Sequence, residues 1–299
     1  MSVRRHALVG TLAAALALTA CSGPTEPQSA TCPGGKIRFG VEPFEDPARL
    51  TPAAKVLADA LGESLNCPVE LIVTEDYSAE VLAMENRKLD IGIFGPLGYV
   101  FASKRANAEA VASFGDAAEK LSSYTAGIWV PKNSDITSIN QLRDHTLALS
   151  SVGSTSGDAL PRKALIDAGM AKNDVRINYA GGHPEALLAL TNGAVDAAEI
   201  NSQQLASATA AGTFDQAKYR RIWSSDPIPN DPITVRGDHS AQFKTAVRDA
   251  LLKLPPAKVG KIGELLDISP PGPLVAVEKS TYQPLFDLAS ALNLTEKDV

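Results

Sequence analysis

The chain has 299 residues, of which 44% are hydrophobic and 21% are charged. This is the composition of a globular protein with one large or two medium domains, and it argues against disorder over the whole length. The net charge of −6 argues against nucleic acid as the main partner. It does not argue against an anionic ligand, because a neutral pocket of hydrogen-bond donors can hold an anion.

The N-terminus has the pattern of an export signal. Arg4 and Arg5 precede an apolar stretch of 14 residues at 7–20, which suits a signal-peptide core and is short for a membrane-spanning helix. Small residues then lead into Cys21, an arrangement that resembles the bacterial lipobox. The resemblance implies a signal peptide at 1–20 and lipid on Cys21 at the extracytoplasmic face of the cell membrane. A plain secretory peptide with a chance cysteine is the alternative. Losing residues 1–20 removes two positive charges and no acid, which takes the net charge from −6 to −8.

Residues 21–35 are rich in Ser, Thr, Pro and Gly and predict a flexible tether after the lipidated cysteine. Two cysteines remain besides Cys21, namely Cys32 and Cys67. Because an exported protein meets oxidising conditions, we predict a disulfide between them. It would join the end of the tether to the first helix–strand connection. Two unpaired thiols are the alternative.

From residue 36 onward, short apolar runs alternate with helical patterns, as in α/β folds. Thr51 and Pro52 are predicted to open the first helix, with Thr51 as the N-cap. Strands are predicted at 36–41, 69–73, 89–94, 124–130, 146–150, 175–179, 195–200, 219–223 and 233–235. Further helices are predicted at 78–87, 138–144, 157–169 and 184–191, and over most of the chain after residue 240.

Two segments of the chain have a similar sequence pattern, and this similarity is called the echo below. The run LDIGIFG at 89–95 and the run VDAAEIN at 195–201 each follow a predicted helix. Two lobes of similar α/β construction would produce this echo. Crossings between the lobes are expected near 125–132 and 225–235, where prolines stiffen the chain. A single continuous sheet without a cleft is the alternative, since the echo alone is weak evidence.

A cluster of hydroxyl groups follows one predicted strand and opens a helix. Ser154, Thr155 and Ser156 precede Gly157, which lets the backbone come close to a ligand. The amides at a helix N-terminus carry a partial positive charge, so the cluster suits an oxyanion. A simple helix cap explains the same local pattern. No Lys follows Gly157, so the pattern is not that of a nucleotide-binding P-loop.

Three more residues precede or start predicted elements. His183 lies in a Gly-Gly-His-Pro run, Tyr77 precedes a helix, and Tyr124 starts a strand. Each has an ordinary alternative, as a surface histidine or a packing aromatic. No histidine or cysteine spacing indicates a metal site, and nothing in the sequence fixes a base beside a nucleophile. We therefore predict no metal, no cofactor and no enzyme activity.

Taken together, these segments resemble the phosphate-, phosphite- and phosphonate-binding proteins of ABC importers (the PhnD-like family). The resemblance covers roughly residues 36–250. It is carried by EDYSAEVLAMENRKLDIGIFGPLGY (75–99), SSYTAGIWVPKNSDITSINQL (122–142), STSGDALPRKAL (154–165), GGHPEALLALTNGAVDAAEINSQQ (181–204) and IWSSDPIPNDPI (222–233).

The resemblance implies the type II periplasmic-binding-protein fold, with two α/β lobes, two crossing strands and a ligand cleft between them. The first lobe would comprise 36–128 and 232–299, and the second lobe 129–231. The resemblance also implies a monomer that serves a membrane permease. The implied ligand contacts are Tyr77, Tyr124, Ser154, Thr155, Ser156, His183, Gln203 and Asp231.

One position departs from the family pattern. Members that bind aminoalkyl phosphonates carry a Glu where this chain has Gln203, and an amide cannot pair with a ligand ammonium as strongly as a carboxylate. The departure favours phosphate, phosphite or methylphosphonate. Asp231 would accept a hydrogen bond from a protonated ligand oxygen. A binding protein for another small anion, such as a sulfonate, and a lipoprotein sensor with the same pocket are the alternatives.

Overall fold

The computed structural model describes residues 30–295. The predicted signal peptide at 1–20, the lipidation at Cys21 and the tether up to residue 29 lie outside the described residues. No helix within 30–295 is long and apolar enough to cross a membrane.

The described chain alternates strands and helices. The strands are β1 (Ile37–Val41), β2 (Val69–Val73), β3 (Ile91–Ile93), β4 (Glu109–Phe114), β5 (Ser123–Tyr124), β6 (Gly127–Pro131), β7 (Thr146–Leu149), β8 (Arg176–Tyr179), β9 (Ala197–Glu199), β10 (Tyr219–Ser224), β11 (Ile228–Pro229), β12 (Pro232–Val235) and β13 (Leu274–Val275). The α-helices are α1 (Pro47–Leu65), α2 (Tyr77–Glu85), α3 (Pro96–Ala106), α4 (Leu160–Asp167), α5 (His183–Thr191), α6 (Ser202–Ala210), α7 (Ala241–Leu252), α8 (Pro256–Leu265) and α9 (Gln283–Ala291). Short 3₁₀ helices span Pro33–Gly35, Ile139–Leu142, Gln216–Lys218 and Lys279–Tyr282, and a π-helical turn spans Thr155–Ala159.

Two separate mixed sheets divide the chain into two lobes. The first lobe is built on a six-stranded sheet of order β13-β4-β12-β3-β1-β2, and the second on a five-stranded sheet of order β10-β6-β9-β7-β8. In the first sheet β1 runs parallel to β2 and β3, and in the second β7 runs parallel to β8 and β9. The predicted two-lobed α/β architecture is confirmed, and the alternative of one continuous sheet is wrong.

A short antiparallel ladder lies where the chain passes between the lobes. Strands β5 and β11 pair with each other, and Tyr124 lies opposite Ile228. The predicted single strand over 124–130 is therefore wrong, because residues 125–126 are not paired as a strand and separate β5 from β6. The backbone amides of Thr125 and Ala126 donate to the hydroxyls of Ser202 and Ser225 instead of to a neighbouring strand.

Helices cover both faces of the first sheet. On one face α1 packs against α7 and α8, and it buries Leu50, Leu57 and Leu61 against β1 and β3. On the other face α2, α3 and α9 form a second apolar cluster, in which Tyr99 meets Tyr282 edge to face. This packing fixes the carboxyl ends of β1 and β3 at the edge that faces the second lobe.

Helix α1 begins earlier than predicted. Asp46 caps it by accepting a hydrogen bond from the amide of Ala48 at 2.8 Å, and Pro47 is the first helical residue. Thr51 and Pro52 lie inside the helix. The pair Asp46-Pro47 carries the same cap-and-proline pattern as Thr51-Pro52, so local sequence does not distinguish the two starts.

A disulfide joins Cys32 to Cys67, with 5.4 Å between their Cα atoms. Cys32 precedes β1, and Cys67 lies in the connection between α1 and β2. The predicted pairing is therefore present, and it ties the segment that enters the first lobe to the end of its first helix.

Candidate functional site

A cavity between the lobes brings together all eight residues that the sequence predicted as ligand contacts. Tyr77, Tyr124, Ser154, Thr155, Ser156, His183, Gln203 and Asp231 all line it. Its other lining residues are Glu42, Phe44, Glu45, Gly95, Asn201, Gln204 and Leu265. The cavity has a volume of about 20 Å³. A single water needs roughly 10–15 Å³ by this measure, so the cavity suits a molecule of a few heavy atoms.

The hydroxyl cluster lies on the π-helical turn at the start of α4. Ser154 caps this turn, since its Oγ accepts a hydrogen bond from the amide of Gly157 at 3.1 Å. The helix-cap interpretation of the sequence is therefore confirmed, and the same residue also faces the cavity. A Cβ atom on Gly157 would lie 1.7 Å from Oγ of Ser150, so only glycine fits where the turn packs against β7.

A buried acid anchors the same turn. Asp158 accepts hydrogen bonds from the guanidinium of Arg162 at 2.9 Å, from the hydroxyl of Tyr179 at 2.7 Å and from the amide of Gly153 at 3.1 Å. The bond to Gly153 holds the start of the turn, and the bonds to Arg162 and Tyr179 hold its end at Asp158. The hydroxyls at 154–156 between them therefore have a fixed position.

His183 links the hydroxyl cluster to a buried carboxyl group. It is the first residue of α5, and its Nδ1 lies 3.0 Å from Oε2 of Glu199 on β9. Its Nε2 lies 3.3 Å from Oγ of Ser154. Burial raises the pKa of Glu199, while the neighbouring His183 works in the opposite direction. The fold thus places the imidazole of His183 beside the hydroxyl of Ser154. No spacing in the sequence indicated this contact.

Two tyrosines face the hydroxyl cluster from the opposite wall. The hydroxyl of Tyr77 contacts Ser154, and that of Tyr124 contacts Ser156 and Thr155. Burial raises the pKa of both tyrosines well above the ordinary value, and the nearby carboxyls raise it further. Both phenols therefore keep their protons and remain hydrogen-bond donors at any physiological pH.

Carboxyl groups form another part of the wall. Burial raises the pKa of Asp231 to about 7, although His183 lowers it in part. Burial and the neighbouring Asp231 raise the pKa of Glu42 well above its usual range, and Glu80 behind it is shifted in the same direction. Among the described residues that line the cavity, none is Lys or Arg. Any anion in this cavity is thus held by neutral donors and by His183.

Hydrogen bonds across the cleft hold the lobes together. The amide of Leu97 donates to Oγ1 of Thr155 at 2.9 Å, and Nε2 of Gln203 donates to the carbonyl of Leu266 at 3.3 Å. Ser207 donates to Oε2 of Glu45 at 3.2 Å. The Gln203 amide nitrogen also donates to Oδ1 of Asn230 at 2.8 Å. The lobes are therefore in contact, and the donor group of Gln203 is bonded to the protein.

The site residues that the sequence does not predict include Glu42, Glu199 and Asn201. Glu42 follows β1, Glu199 ends β9, and Asn201 follows β9. Asn201 donates to Oγ of Ser156 at 3.2 Å. All three lie where strands that run parallel to a neighbour come to their carboxyl ends, which is where α/β proteins bind ligands. That position is the signal that would have found them.

In the described part of the chain, no group of His, Cys, Asp and Glu side chains could hold a metal ion.

Two α/β lobes, a pair of crossing strands and a buried polar cavity between the lobes define a type II periplasmic binding protein. The model of one family, described as the phosphonate periplasmic substrate-binding protein of ABC transporters, matches residues 39–282. The chain belongs to this family, whose members are substrate-binding components of transporters and not enzymes.

Curated relatives agree with this assignment, and a solved structure shares the fold. The chain is 29% identical to the phosphate-import protein PhnD of Mycolicibacterium smegmatis over 248 residues, which cover 76% of each protein. It is 27% identical to the phosphonates-binding periplasmic protein of Escherichia coli over 71% of this chain and 64% of the relative. The fold is shared with PhnD1 of Prochlorococcus marinus in complex with methylphosphonate. That comparison has a TM-score of 0.76 and 18% identity, and it covers 87% of this chain and 99% of the other.

Proposed function

We propose that this chain captures a small phosphorus oxyanion, namely phosphate, phosphite or a small alkylphosphonate, and delivers it to the permease of an ABC importer. The observation that carries the proposal is the convergence of the 154–156 hydroxyls, Tyr77, Tyr124 and His183 on one small cavity between the lobes. Neutral donors at fixed positions hold an oxyanion without a fixed positive charge. The relative from Mycolicibacterium smegmatis is a phosphate importer and the one from Escherichia coli binds phosphonates, which supports this ligand class.

The size and the chemistry of the cavity favour the smaller ligands. A volume of about 20 Å³ suits a tetrahedral oxyanion with at most a small substituent. Gln203 supplies no charge, and its amide nitrogen is bonded to Asn230 and Leu266. A ligand ammonium therefore has no strong partner at this position. The carboxyl of Asp231 is the acceptor for a protonated ligand oxygen.

Capture proceeds by closure of the cleft. In the open form the hydroxyl turn is exposed, and the anion docks there first. Tyr77 of the first lobe, whose boundaries are 36–128 and 232–299, then closes over it from the other side. Asp231, which directly precedes that lobe's second segment, closes over the anion with it. Binding energy offsets the cost of the closed state, which the bonds Leu97–Thr155 and Gln203–Leu266 also stabilise. The permease recognises the closed shape.

We further propose that lipid on Cys21 anchors the mature protein and that residues 22–35 tether it near the permease. A tether of this kind raises the effective concentration of the receptor at its partner. Palmitate labelling that disappears in a Cys21→Ala variant is the expected result. Labelling that persists in that variant would contradict the assignment.

Calorimetry with a panel of anions tests the ligand class. We expect phosphate, phosphite or methylphosphonate to bind tightly, and 2-aminoethylphosphonate, sulfate and methanesulfonate to bind at least tenfold more weakly. A Ser154→Ala/Ser156→Ala double variant should lose at least tenfold in affinity. Ser290→Ala on α9, the same change at an exposed site, should lose none. Tight binding of only the amine-bearing ligand would overturn the interpretation of Gln203, and tight binding of methanesulfonate would favour a sulfonate receptor.

A further inference from the structure

Glu42 has one unsatisfied oxygen inside the ligand cavity. Its side chain follows β1, is 2% exposed, and receives a hydrogen bond from the amide of Gly95 at the start of α3. Its Oε2 has no hydrogen-bond partner among the residues that the structure describes. A buried carboxyl oxygen without a partner is costly, so an atom of this kind in a binding cavity points to the ligand as its partner.

The groups that face Glu42 offer no compensating positive charge. The neighbours of Glu42 in the first lobe and its hinge are Glu80 and Tyr77 of α2, Tyr124 of β5 and Asp231 before β12. The cavity is also lined by His183 and Glu45, whose own partners are Glu199 and Arg49. The two cations in this set, His183 when protonated and Arg49, each contact a carboxylate of their own.

An ionised Glu42 would therefore face the bound anion with only the Gly95 amide to offset the repulsion. A protonated Glu42 instead donates a hydrogen bond to the anion through the oxygen that lacks a partner. We propose that Glu42 is a specificity-determining residue that binds the anion as a carboxylic acid, so that closure of the cleft takes up one proton for each anion captured. This inference rests on the proposed function and deepens it.

Glu42 takes up the proton because closure of the cleft removes water from its side chain. In an open cleft water reaches Glu42, and an ordinary glutamate has a pKa of about 4.3 and is ionised at neutral pH. In the closed cleft burial raises the pKa of Glu42 well above this range. The closed, liganded form then binds one more proton than the open form. Affinity rises as the pH falls, by about tenfold per pH unit between the two pKa values, and levels off below the lower one.

The test counts protons during binding. Calorimetry of inorganic phosphate at pH 7.5 in buffers of different ionisation enthalpy gives the protons taken up by the whole reaction, including those that belong to phosphate. The same titration with Glu42→Gln removes the Glu42 contribution while the ligand is unchanged. We expect Glu42→Gln to take up one proton fewer and to lose about tenfold per pH unit from the pH dependence of its affinity. Glu264→Gln, the same change at an exposed position on α8, should leave the proton count as in the wild type.

Equal proton uptake by the wild type and by a tightly binding Glu42→Gln variant would overturn the inference while leaving the proposed function in place. Absence of binding of every phosphorus oxyanion to the wild type would overturn both. If Glu42→Gln does not bind phosphate, infrared difference spectra of wild-type protein labelled with ¹³C-glutamate decide the matter. A label-sensitive band of a protonated carboxyl should appear when phosphate is added, and its absence would overturn the inference.

Discussion

The backbone amide of Leu97 donates a hydrogen bond across the cleft to the side-chain oxygen of Thr155, with 2.9 Å between N and Oγ1. Leu97 lies in the first turn of α3 in the first lobe, and Thr155 begins the π-helical turn of the second lobe. Both residues are buried. Because Oγ1 accepts this bond, the hydroxyl hydrogen of Thr155 is available to the cavity. One side chain therefore holds the lobes together and also lines the cavity.

Replacing Thr155 by Val should weaken binding by destabilising the closed form. Val has nearly the same shape but leaves the Leu97 amide buried without an acceptor, which costs about 1–3 kcal/mol. We expect the affinity for methylphosphonate to fall by roughly 5- to 150-fold, measured by calorimetry. Thr155→Ser keeps the hydroxyl and should stay within about threefold of the wild type. Wild-type affinity in Thr155→Val would contradict this role for the cross-cleft bond.

A second prediction concerns the cross-cleft bond from Gln203 to Leu266. In Gln203→Glu a carboxylate would face the carbonyl of Leu266 and Oδ1 of Asn230, both of which are acceptors. The substitution exchanges two hydrogen bonds for repulsion, so methylphosphonate affinity should fall by about 10- to 100-fold. The affinity for 2-aminoethylphosphonate should fall less, because its ammonium can pair with the new carboxylate. Gln242→Glu, the same change at an exposed position on α7, should leave both affinities unchanged.

The sequence predicts a site residue best when that residue begins or caps a helix and the helix directly follows a strand. Ser154, His183 and Tyr77 each begin or cap a helix that follows a strand, and that pattern is visible in the sequence. Glu42 neither begins nor caps a helix, because it lies among other acids and prolines in a polar connection. It reaches the cavity because β1 pairs in parallel with β3, and strand pairing is a tertiary property.

The same limit applies to the fold. Helix α3 was not predicted, because all its residues from Pro96 to Ala102 are buried and it has no polar face over that stretch. Hydrophobic periodicity identifies a helix only when one face meets solvent. The sequence predicts the first residue of α1 to be Pro52 instead of Pro47, because two cap-and-proline pairs compete. Leu50 in the added first turn is buried in the core of the first lobe, and this tertiary contact favours the longer helix.

A third prediction concerns stability in acid. Asp90 precedes β3 and accepts hydrogen bonds from Arg38 on β1 at 2.8 and 2.9 Å, from Arg236 at 3.1 Å and from His239 at 3.0 Å. Burial works to raise the pKa of Asp90, but the hydrogen bonds from His239 and Arg38 outweigh it and hold this pKa well below its usual value. The stabilisation is therefore present above the unfolded-state pKa of about 3.9 and is lost as the pH falls below that value.

Asp90→Asn should lower the free energy of unfolding at pH 7 by about 3–5 kcal/mol, since it leaves buried cations without their carboxylate. It should also flatten the dependence of stability on pH below about 4. Urea denaturation at a series of pH values measures both effects. Asp59→Asn on the exposed surface of α1 should change the stability by less than about 1 kcal/mol. An Asp90→Asn variant with the acid sensitivity of the wild type would contradict the assignment.

The last prediction separates stability from binding. The Cys32–Cys67 disulfide closes a loop across a sequence separation of 35 residues, and neither cysteine lines the cavity. Restricting the unfolded chain by a loop of this length contributes about 3–4 kcal/mol. A Cys32→Ser/Cys67→Ser variant should therefore lose about that much stability in urea denaturation and should bind phosphate with unchanged affinity under native conditions. Loss of affinity in a variant that remains folded would mean that the disulfide also positions β1, and with it Glu42, at the edge of the cavity.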